Sequence, residues 1–112
     1  MAISWEDFLA VDLRVGSIVS AEINGKAREP AYVIKVDLGP LGIKQSSAKL
    51  TKFYGPADLV GRQVVCVVNF APKNIAGVVS EVLITGVYDG GRKDDVVLLS
   101  AERKVENGRR VG

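Results

Sequence analysis

The N-terminal part of the chain alternates apolar residues with polar or small ones, and this pattern restricts the fold more than any other feature. Apolar residues stand at most of the odd positions between Val11 and Ile23. A period of two over this length predicts one long strand with one buried face. Gly16 lies inside it, and a glycine within a strand is typical of the bends or bulges that small barrels need at their corners. The pattern therefore favours a curved sheet.

Four further strands are predicted downstream, each bounded by residues typical of turns. They span residues 32–38, 43–47, 64–70 and 78–87, followed by a shorter apolar segment at 96–99. Turns are predicted at 24–25, 39–42, 71–77, 89–91 and 106–109, and a short helical turn at 56–59. In the second strand, Tyr32, Ile34, Val36 and Leu38 share one face.

The order of these elements indicates the fold class. Five strands with a helical turn between the third and the fourth predict an all-β fold: a five-stranded Greek-key barrel of the OB-fold type. A short N-terminal helix precedes the barrel and a C-terminal extension follows it. An SH3-like barrel or a small sandwich would fit the periodicity nearly as well. Residues 1–112 show no internal repeat or linker, so one domain is predicted.

The residue types present exclude several classes of chemistry. Without histidine, the chain has no His-based acid–base catalysis, His-activated nucleophile or His metal site. A single cysteine, Cys66, excludes an intrachain disulfide and multi-Cys metal sites, and its place in an apolar strand predicts inert core. No GxxxxGK[ST] motif is present. We therefore predict a non-enzymatic protein that works without metal, cofactor or bound ATP.

The location of the protein is predicted from its apolar runs and its first residues. The longest apolar runs have five residues, as at 64–68, whereas a membrane-spanning helix needs about 20. Residues 1–9 contain two acidic residues and no basic one, unlike a secretory signal. A cytoplasmic, soluble protein is expected.

The predicted N-terminal helix needs a surface to pack against. Ser4 and Asp7 have the spacing of a capping box, and Trp5, Phe8 and Leu9 fall on one face. A helix this short is not stable alone. Its apolar residues must dock either on the barrel of the same chain or on a partner subunit. We predict that these three residues, with residues 96–111, form the interface of a two-fold homodimer.

Several motifs carry a resemblance to a known family. They are DLRVG at 12–16, GIKQSSA at 42–48, NFAPKNIAG at 69–77 and SEVL at 80–83. Together they resemble the tRNA-binding-domain family, OB-fold modules that occur appended to some tRNA synthetases or free-standing. Within it, the last three motifs resemble the secretion-associated chaperones of the CsaA group. This resemblance implies a cytoplasmic homodimer that binds unfolded preproteins and, in some members, the translocation ATPase SecA.

Two departures from the tRNA-binding relatives predict that tRNA binds weakly. Those relatives typically have Ser-Glu-Gly-Met where this chain has SEVL at 80–83, and they carry a more basic turn where this chain offers only Lys73. The formal net charge is +2, with five cations against one carboxylate between residues 44 and 73, a local charge of +4. This local excess is either a solvated rim or a weak surface for anions and acidic peptides.

Polar residues that interrupt apolar strands mark the candidate binding site, since such groups must be satisfied by the fold or by a ligand. The predicted peptide or tRNA site consists of Gln45, Ser46, Ser47, Lys49, Asn69, Lys73 and Ser80. Local capping would explain residues 45–47 equally well. A structural clamp would explain Asn69 and Ser80, with Glu81 accepting hydrogen bonds from the turn at 71–77. The leading hypothesis is a chaperone, and the rival is a tRNA- or RNA-binding module.

Overall fold

Five strands form the main antiparallel sheet of the structure, a computed structural model that describes residues 1–112. In chain order the elements are α1 (Trp5–Leu9), β1 (Leu13–Ile23), β2 (Tyr32–Asp37), β3 (Ile43–Ala48), α2 (Pro56–Leu59), β4 (Gln63–Val67), β5 (Lys73–Ile75), β6 (Val78–Ser80), β7 (Leu83–Ile84), β8 (Gly86–Tyr88) and β9 (Val96–Leu98). The sheet order is β3-β2-β1-β4-β7, and two hairpins, β5–β6 and β8–β9, complete the fold. This nearly closed barrel confirms the predicted OB-fold. None of its helices has the length and apolar character needed to span a membrane.

The core lies inside the barrel, and β2 supplies its most regular row. Tyr32, Ile34, Val36 and the following Leu38 are all buried, as the alternation predicts. The rest of the core cluster comes from β1, β4, β7 and the segments between strands: Ile18, Leu50, Leu59, Val64, Cys66, Val82 and Ile84. The hydroxyl of Tyr32 donates to the carbonyl oxygen of Tyr54 at 2.8 Å, so its polar end is satisfied at the edge of the core.

The prediction that the odd-numbered residues of β1 face the core is wrong between Gly16 and Val19. The strand begins at Leu13, and its register against β2 shifts between Ile18 and Ser20. Ile18, the last residue before the shift, is buried in the core, whereas Val19 is 43% exposed. One irregular pair in a ladder exchanges the two faces of the strand, because side chains alternate strictly. After the irregularity the odd-numbered Ala21 packs against the core, so the odd-position rule holds there but fails at Gly16 and Ile18.

The region from 71 to 88 contains more elements than predicted. The turn expected at 71–77 includes β5 and narrows to Ala76 and Gly77, which have φ of 51° and 80°. The single strand expected at 78–87 is divided into β6, β7 and β8. β6 lies against β3 while β7 pairs with β4, so this segment closes the barrel from both sides. One straight strand cannot meet two partners on opposite sides of a barrel, and the chain bends between them.

The C-terminal extension runs along the first residues of β1. After the turn around Gly108, the Val15 amide donates to the Arg109 carbonyl at 2.9 Å, and the Val111 amide donates to the Leu13 carbonyl at 2.9 Å. Arg14 and Arg110 form the antiparallel bridge between the two segments. The predicted turn at 106–109 is present, and its returning residues cover a part of β1 that β2 does not pair with.

We expect Cys66 to be chemically inert in the folded protein. Burial raises the pKa of its thiol to about 12, and only the thiolate is nucleophilic. Titration with a disulfide reagent at pH 8 should give no reaction in native buffer and one thiol per chain in concentrated urea. Reaction of the native protein within minutes would contradict this placement of Cys66 in the core.

Candidate functional site

A pocket of about 330 Å³ lies between β3, the β5–β6 hairpin and the start of β7. We call it the β5 pocket; it is lined by Ser46, Ser47, Phe70, Ala71, Lys73, Ile75, Ser80, Glu81, Val82 and Leu83. Of the predicted site residues, it brings together Ser46, Ser47, Lys73 and Ser80. Gln45, Lys49 and Asn69 are not among its lining residues. The two strongest sequence motifs therefore meet in space, although not through all their polar residues.

Three exposed apolar side chains make the surface of the β5 pocket mainly apolar. Phe70, Leu83 and Ile75 are 58%, 50% and 40% exposed. Large apolar groups left accessible in a concave surface are typical of binding sites for apolar ligands. Sequence reasoning missed all three residues, because each reads as an ordinary strand or turn residue. The available signal was Phe70 itself, an aromatic residue that follows the end of β4 inside a recognised motif.

Most polar side chains beside the β5 pocket hold β3 to β6. The Gln45 amide nitrogen Nε2 donates to the Val79 carbonyl at 2.9 Å, and the Ser47 backbone amide donates to Ser80 Oγ at 3.3 Å. The Glu81 backbone amide donates to the Gln45 carbonyl at 2.8 Å. Glu81 Oε1 accepts from the Gln45 backbone amide at 3.2 Å, and not from the turn at 71–77 as expected. β3 and β6 are not joined by a regular backbone ladder, so these contacts close the barrel between them.

Two polar groups of the β5 pocket remain available to a ligand. The Ser47 hydroxyl makes no hydrogen bond in the structure, and Lys73 takes part in no ion pair. Ser46 is only 2% exposed, and its Oγ lies 3.5 Å from Ser80 Oγ. A ligand in this pocket therefore meets an apolar surface with one hydroxyl, one cation and the Glu81 carboxylate, which is paired with Lys44.

Asn69 and Lys49 make their contacts elsewhere. Asn69 Nδ2 donates to the Ala10 carbonyl at 2.8 Å, and its Oδ1 accepts from the Asp12 amide at 3.0 Å. It thereby clamps the segment between α1 and β1 and makes no hydrogen bond to Ser80. Lys49 Nζ lies 2.6 Å from Glu29 Oε2. The hydrogen bond from Lys49 holds the pKa of that carboxyl below its usual range.

The basic character expected for residues 44–73 is largely neutralised in the folded chain. Three lysines pair with carboxylates from outside that window: Lys44 with Glu81, Lys49 with Glu29, and Lys52 with Asp95. Asp95 is 4% exposed, and the hydrogen bond from Lys52 lowers its pKa. A second groove, of about 470 Å³, has an entirely polar or charged lining apart from Pro30, in which Arg92 and Asp94 are paired at 3.3 Å. Both signs of charge are present there, which weakens its attraction for polyanions.

The apolar face of α1 is only partly covered by its own chain. The capping box is present, with the Asp7 amide donating to Ser4 Oγ at 3.1 Å and the Ser4 amide donating to Asp7 Oδ2 at 3.0 Å. Trp5 is 77% exposed and Leu9 57% exposed, while Phe8 is half-buried. Of the two docking surfaces predicted from the sequence, the intrachain one covers part of Phe8 and leaves Trp5 and Leu9 exposed.

Comparisons with known proteins agree with the fold at full length. The sequence model of the family described as "Putative tRNA binding domain" matches residues 13–110. The methionine–tRNA ligase of Thermococcus onnurineus is 38% identical over 109 residues, and that of Pyrococcus abyssi 37% identical over 111 residues. The alignments cover 97% and 99% of this chain but only 14% and 15% of those enzymes. The chain spans about one seventh of the length of these relatives.

Solved structures of two chaperones match nearly all of the chain. The crystal structure of the chaperone CsaA from Bacillus anthracis is 46% identical, with a TM-score of 0.93 and complete coverage of both chains. The CsaA chaperone from Picrophilus torridus is 37% identical, with a TM-score of 0.89 and coverage of 99% of this chain and 100% of the other. The resemblance to CsaA seen in the motifs is thus confirmed over the full length. With its OB-type barrel and a family match that covers nearly all of its residues, the chain belongs to the tRNA-binding-domain family.

Proposed function

We propose that this protein is a chaperone that binds extended apolar segments of unfolded polypeptides in the β5 pocket. The observation that carries the proposal is the exposure of Phe70, Ile75 and Leu83 in one concave surface. An extended segment can insert apolar side chains there while the Ser47 hydroxyl and Lys73 bind polar groups beside them. Burial of one large apolar side chain contributes about 1.5–3 kcal/mol, which gives the weak, reversible binding that a chaperone without ATP needs.

The similarity to CsaA chaperones supports the same function. It motivates unfolded preproteins as the clients, the translocation ATPase SecA as a second partner, and the cytoplasm as the location. The match to methionine–tRNA ligases is confined to about one seventh of their length, so their reaction is not carried over. We propose a non-enzymatic protein, because the β5 pocket offers neither a nucleophile beside a base nor a metal-binding cluster.

We further propose that two copies pair through α1. Trp5, Phe8 and Leu9 lie on an element whose apolar face is only partly covered, and the C-terminal residues run next to it. A symmetric dimer would bury this face and present two β5 pockets to one client chain. Two linked weak sites bind a long chain more tightly than either does alone.

A tRNA-binding module is the second candidate function, and the family match is the observation that favours it. The grooves next to the β5 pocket contain basic residues that a phosphate backbone could use, among them Lys26, Arg28 and Lys93. Their neighbours Glu29 and Asp94 reduce the local positive charge. Few unpaired cations predict few phosphate contacts and hence low affinity at physiological salt.

Binding at two salt concentrations separates the two candidates. We expect a fluorescent, permanently unfolded preprotein to bind with similar affinity at 0.05 M and 0.2 M NaCl, because apolar burial is little affected by ionic screening. We expect tRNA to lose roughly 10- to 100-fold in affinity over the same range, as for about three phosphate contacts. Fluorescence anisotropy measures both ligands on the same protein.

A pocket variant tests whether the β5 pocket is the binding site. Phe70→Ala with Leu83→Ser removes two accessible apolar side chains from the β5 pocket and none from the core cluster. It should weaken preprotein binding by at least about tenfold, the scale of one lost apolar contact of 1.4 kcal/mol or more, and leave tRNA binding unchanged. Tight tRNA binding that resists 0.2 M salt, together with no preprotein binding, would reverse the ranking.

A further inference from the structure

The outer edge of β5 is free. β5 pairs with β6 on one side, and the structure records no backbone hydrogen bond from residues 73–75 to any other segment. All three residues are exposed. Ile75 and Lys73 form the hydrogen-bonded pairs with β6 next to the two-residue turn, so the outward N–H and C=O groups are those of Asn74, and they form a template for a further strand. The β5 edge also borders the β5 pocket, since Lys73 and Ile75 both line it.

Only one face of β5 directs its side chains into the β5 pocket. Lys73 and Ile75 are two residues apart and line the pocket, whereas the Asn74 side chain accepts a hydrogen bond from the Gly77 amide at 3.1 Å. Side chains two apart on an added strand would likewise share the pocket face. One of them would lie opposite Ile75 and the other opposite Lys73.

The charge at this edge is uncompensated. Lys73 forms no ion pair, while Glu81, the other charged residue of the pocket lining, is engaged with Lys44 at 3.9 Å and with the Gln45 amide. A carboxylate on the added strand opposite Lys73 would complete a cross-strand pair of opposite charges, which is stabilising. A basic residue at that place would be repelled.

We propose that the ligand of this site is an extended peptide that adds as an antiparallel strand to the β5 edge, with an apolar residue opposite Ile75 and an acidic residue opposite Lys73. This inference rests on the proposed function and names the chemistry of the client segment. We expect the peptide to run antiparallel to β5, because antiparallel pairing is slightly more stable per residue than parallel pairing. Since β5 runs from Lys73 to Ile75, the recognised order in the client is apolar–any–acidic.

A charge-exchange experiment tests the side-chain part of the proposal. The probes are fluorescein-labelled nonapeptides with Leu-Thr-Glu, Leu-Thr-Gln, Leu-Thr-Lys or the reversed Glu-Thr-Leu at their centre, in a Ser/Thr background. We expect Leu-Thr-Glu to bind about fivefold more tightly than Leu-Thr-Lys at low salt, the scale of an exposed pair replaced by a repulsion. Lys73→Glu should reverse that preference, and 0.5 M NaCl should reduce it.

Lys104→Glu is the matched control, because it changes the same charge at an exposed residue away from the pocket lining. It should leave the peptide preference unchanged. A preference that survives Lys73→Glu with an unchanged melting temperature would overturn the role of Lys73. Tighter binding of Glu-Thr-Leu than of Leu-Thr-Glu would overturn the antiparallel orientation.

Backbone methylation tests the strand addition itself. In the Leu-Thr-Glu peptide, each central amide is N-methylated in turn, which removes a hydrogen-bond donor without changing any side chain. Because alternate amides of an edge partner face the neighbouring strand, and Asn74 is the β5 residue whose backbone groups face outward, we expect a loss of roughly fivefold to tenfold at the Thr amide opposite Asn74 and little change at the Leu and Glu amides. Equal effects at all positions would exclude strand addition.

The outcomes distinguish this inference from the proposed function. If the unfolded preprotein binds and the Phe70→Ala/Leu83→Ser variant loses it, yet the peptides show neither charge preference nor methylation pattern, the strand addition is wrong and the pocket function stands. If neither the preprotein nor any peptide binds, the function itself is wrong. Peptide binding that tRNA displaces at 0.2 M NaCl would assign the edge to nucleic acid instead.

Discussion

A Gly16→Ala variant is expected to lose about 3 kcal/mol of unfolding free energy, the upper part of the range for overpacked cores. A Cβ atom at this position would lie 2.5 Å from Val36 Cγ1, 2.7 Å from Leu38 Cδ2 and 2.9 Å from the Asp37 carbonyl oxygen. Val36 and Leu38 are fully buried, so neither can move aside without displacing the core. For a domain of this size the loss corresponds to a melting temperature lower by roughly 10 °C.

Thermal and urea unfolding followed by circular dichroism measure this loss. Gly91→Ala is the matched control, because a Cβ there meets nothing within 4 Å and the residue has an ordinary φ. The control should unfold within about 0.5 kcal/mol of the native chain. Equal stability of the two alanine variants would show that the side chains of β2 do not approach Gly16 as closely as described.

The elements with a regular pattern could be predicted from the sequence. Residues 32–38 alternate without interruption, and their buried face follows because an antiparallel strand with one covered face must alternate. The helical turn at Pro56–Leu59 begins with proline and is followed by Gly61 at a φ of 89°. In these places the local sequence alone determines the conformation.

Other features depend on contacts that are distant in sequence. The exposure of Val19 follows from a register shift against β2, and the division of residues 78–87 follows from the two strands they meet. No local pattern contains that information. Apolar runs such as 78–87 are equally compatible with one long strand or with several short ones.

The sequence predicts where the site lies, but not which of its side chains are free to bind a ligand. The motifs predicted β3 and the segment after β4, and the β5 pocket lies between them. A polar residue in a strand, however, has the same sequence signal whether the fold or a ligand satisfies it. For Gln45 the partner is Val79, 34 residues away, so only the three-dimensional structure shows that its amide group is already engaged. Phe70, by contrast, has no such intrachain role and remains accessible.

The position of α1 shows why its apolar face is a candidate for assembly. Arg110 donates from Nη2 to the Leu9 carbonyl at 2.9 Å, and Asn69 holds Ala10 and Asp12. The Arg14 side chain bonds Asp12 at 2.6 Å and holds the pKa of that carboxyl below its usual range. A helix of five residues would fray in isolation. These anchors act on the C-terminal end of α1 and position its exposed apolar face.

Replacing that face should separate the proposed dimer into monomers. In a Trp5→Ser/Leu9→Ser variant, each substitution removes a large apolar side chain from both halves of a symmetric interface. Four lost side chains at about 1 kcal/mol or more each raise the dimer dissociation constant by at least a thousandfold. Light scattering at micromolar concentration should then change from about twice the mass of one chain to that mass, with barrel stability unchanged.

Val60→Ser is the matched control for this variant. Val60 is 52% exposed, close to the 57% of Leu9, and follows α2 on another part of the barrel. It should leave the mass and the binding of an unfolded preprotein unchanged. The Trp5→Ser/Leu9→Ser monomer keeps the β5 pocket intact, because α1 contributes none of its lining. Short peptides should therefore bind it normally, while a long preprotein loses the gain from two linked sites. A native chain that is already monomeric at micromolar concentration would show instead that the exposed face of α1 does not pair with a second copy.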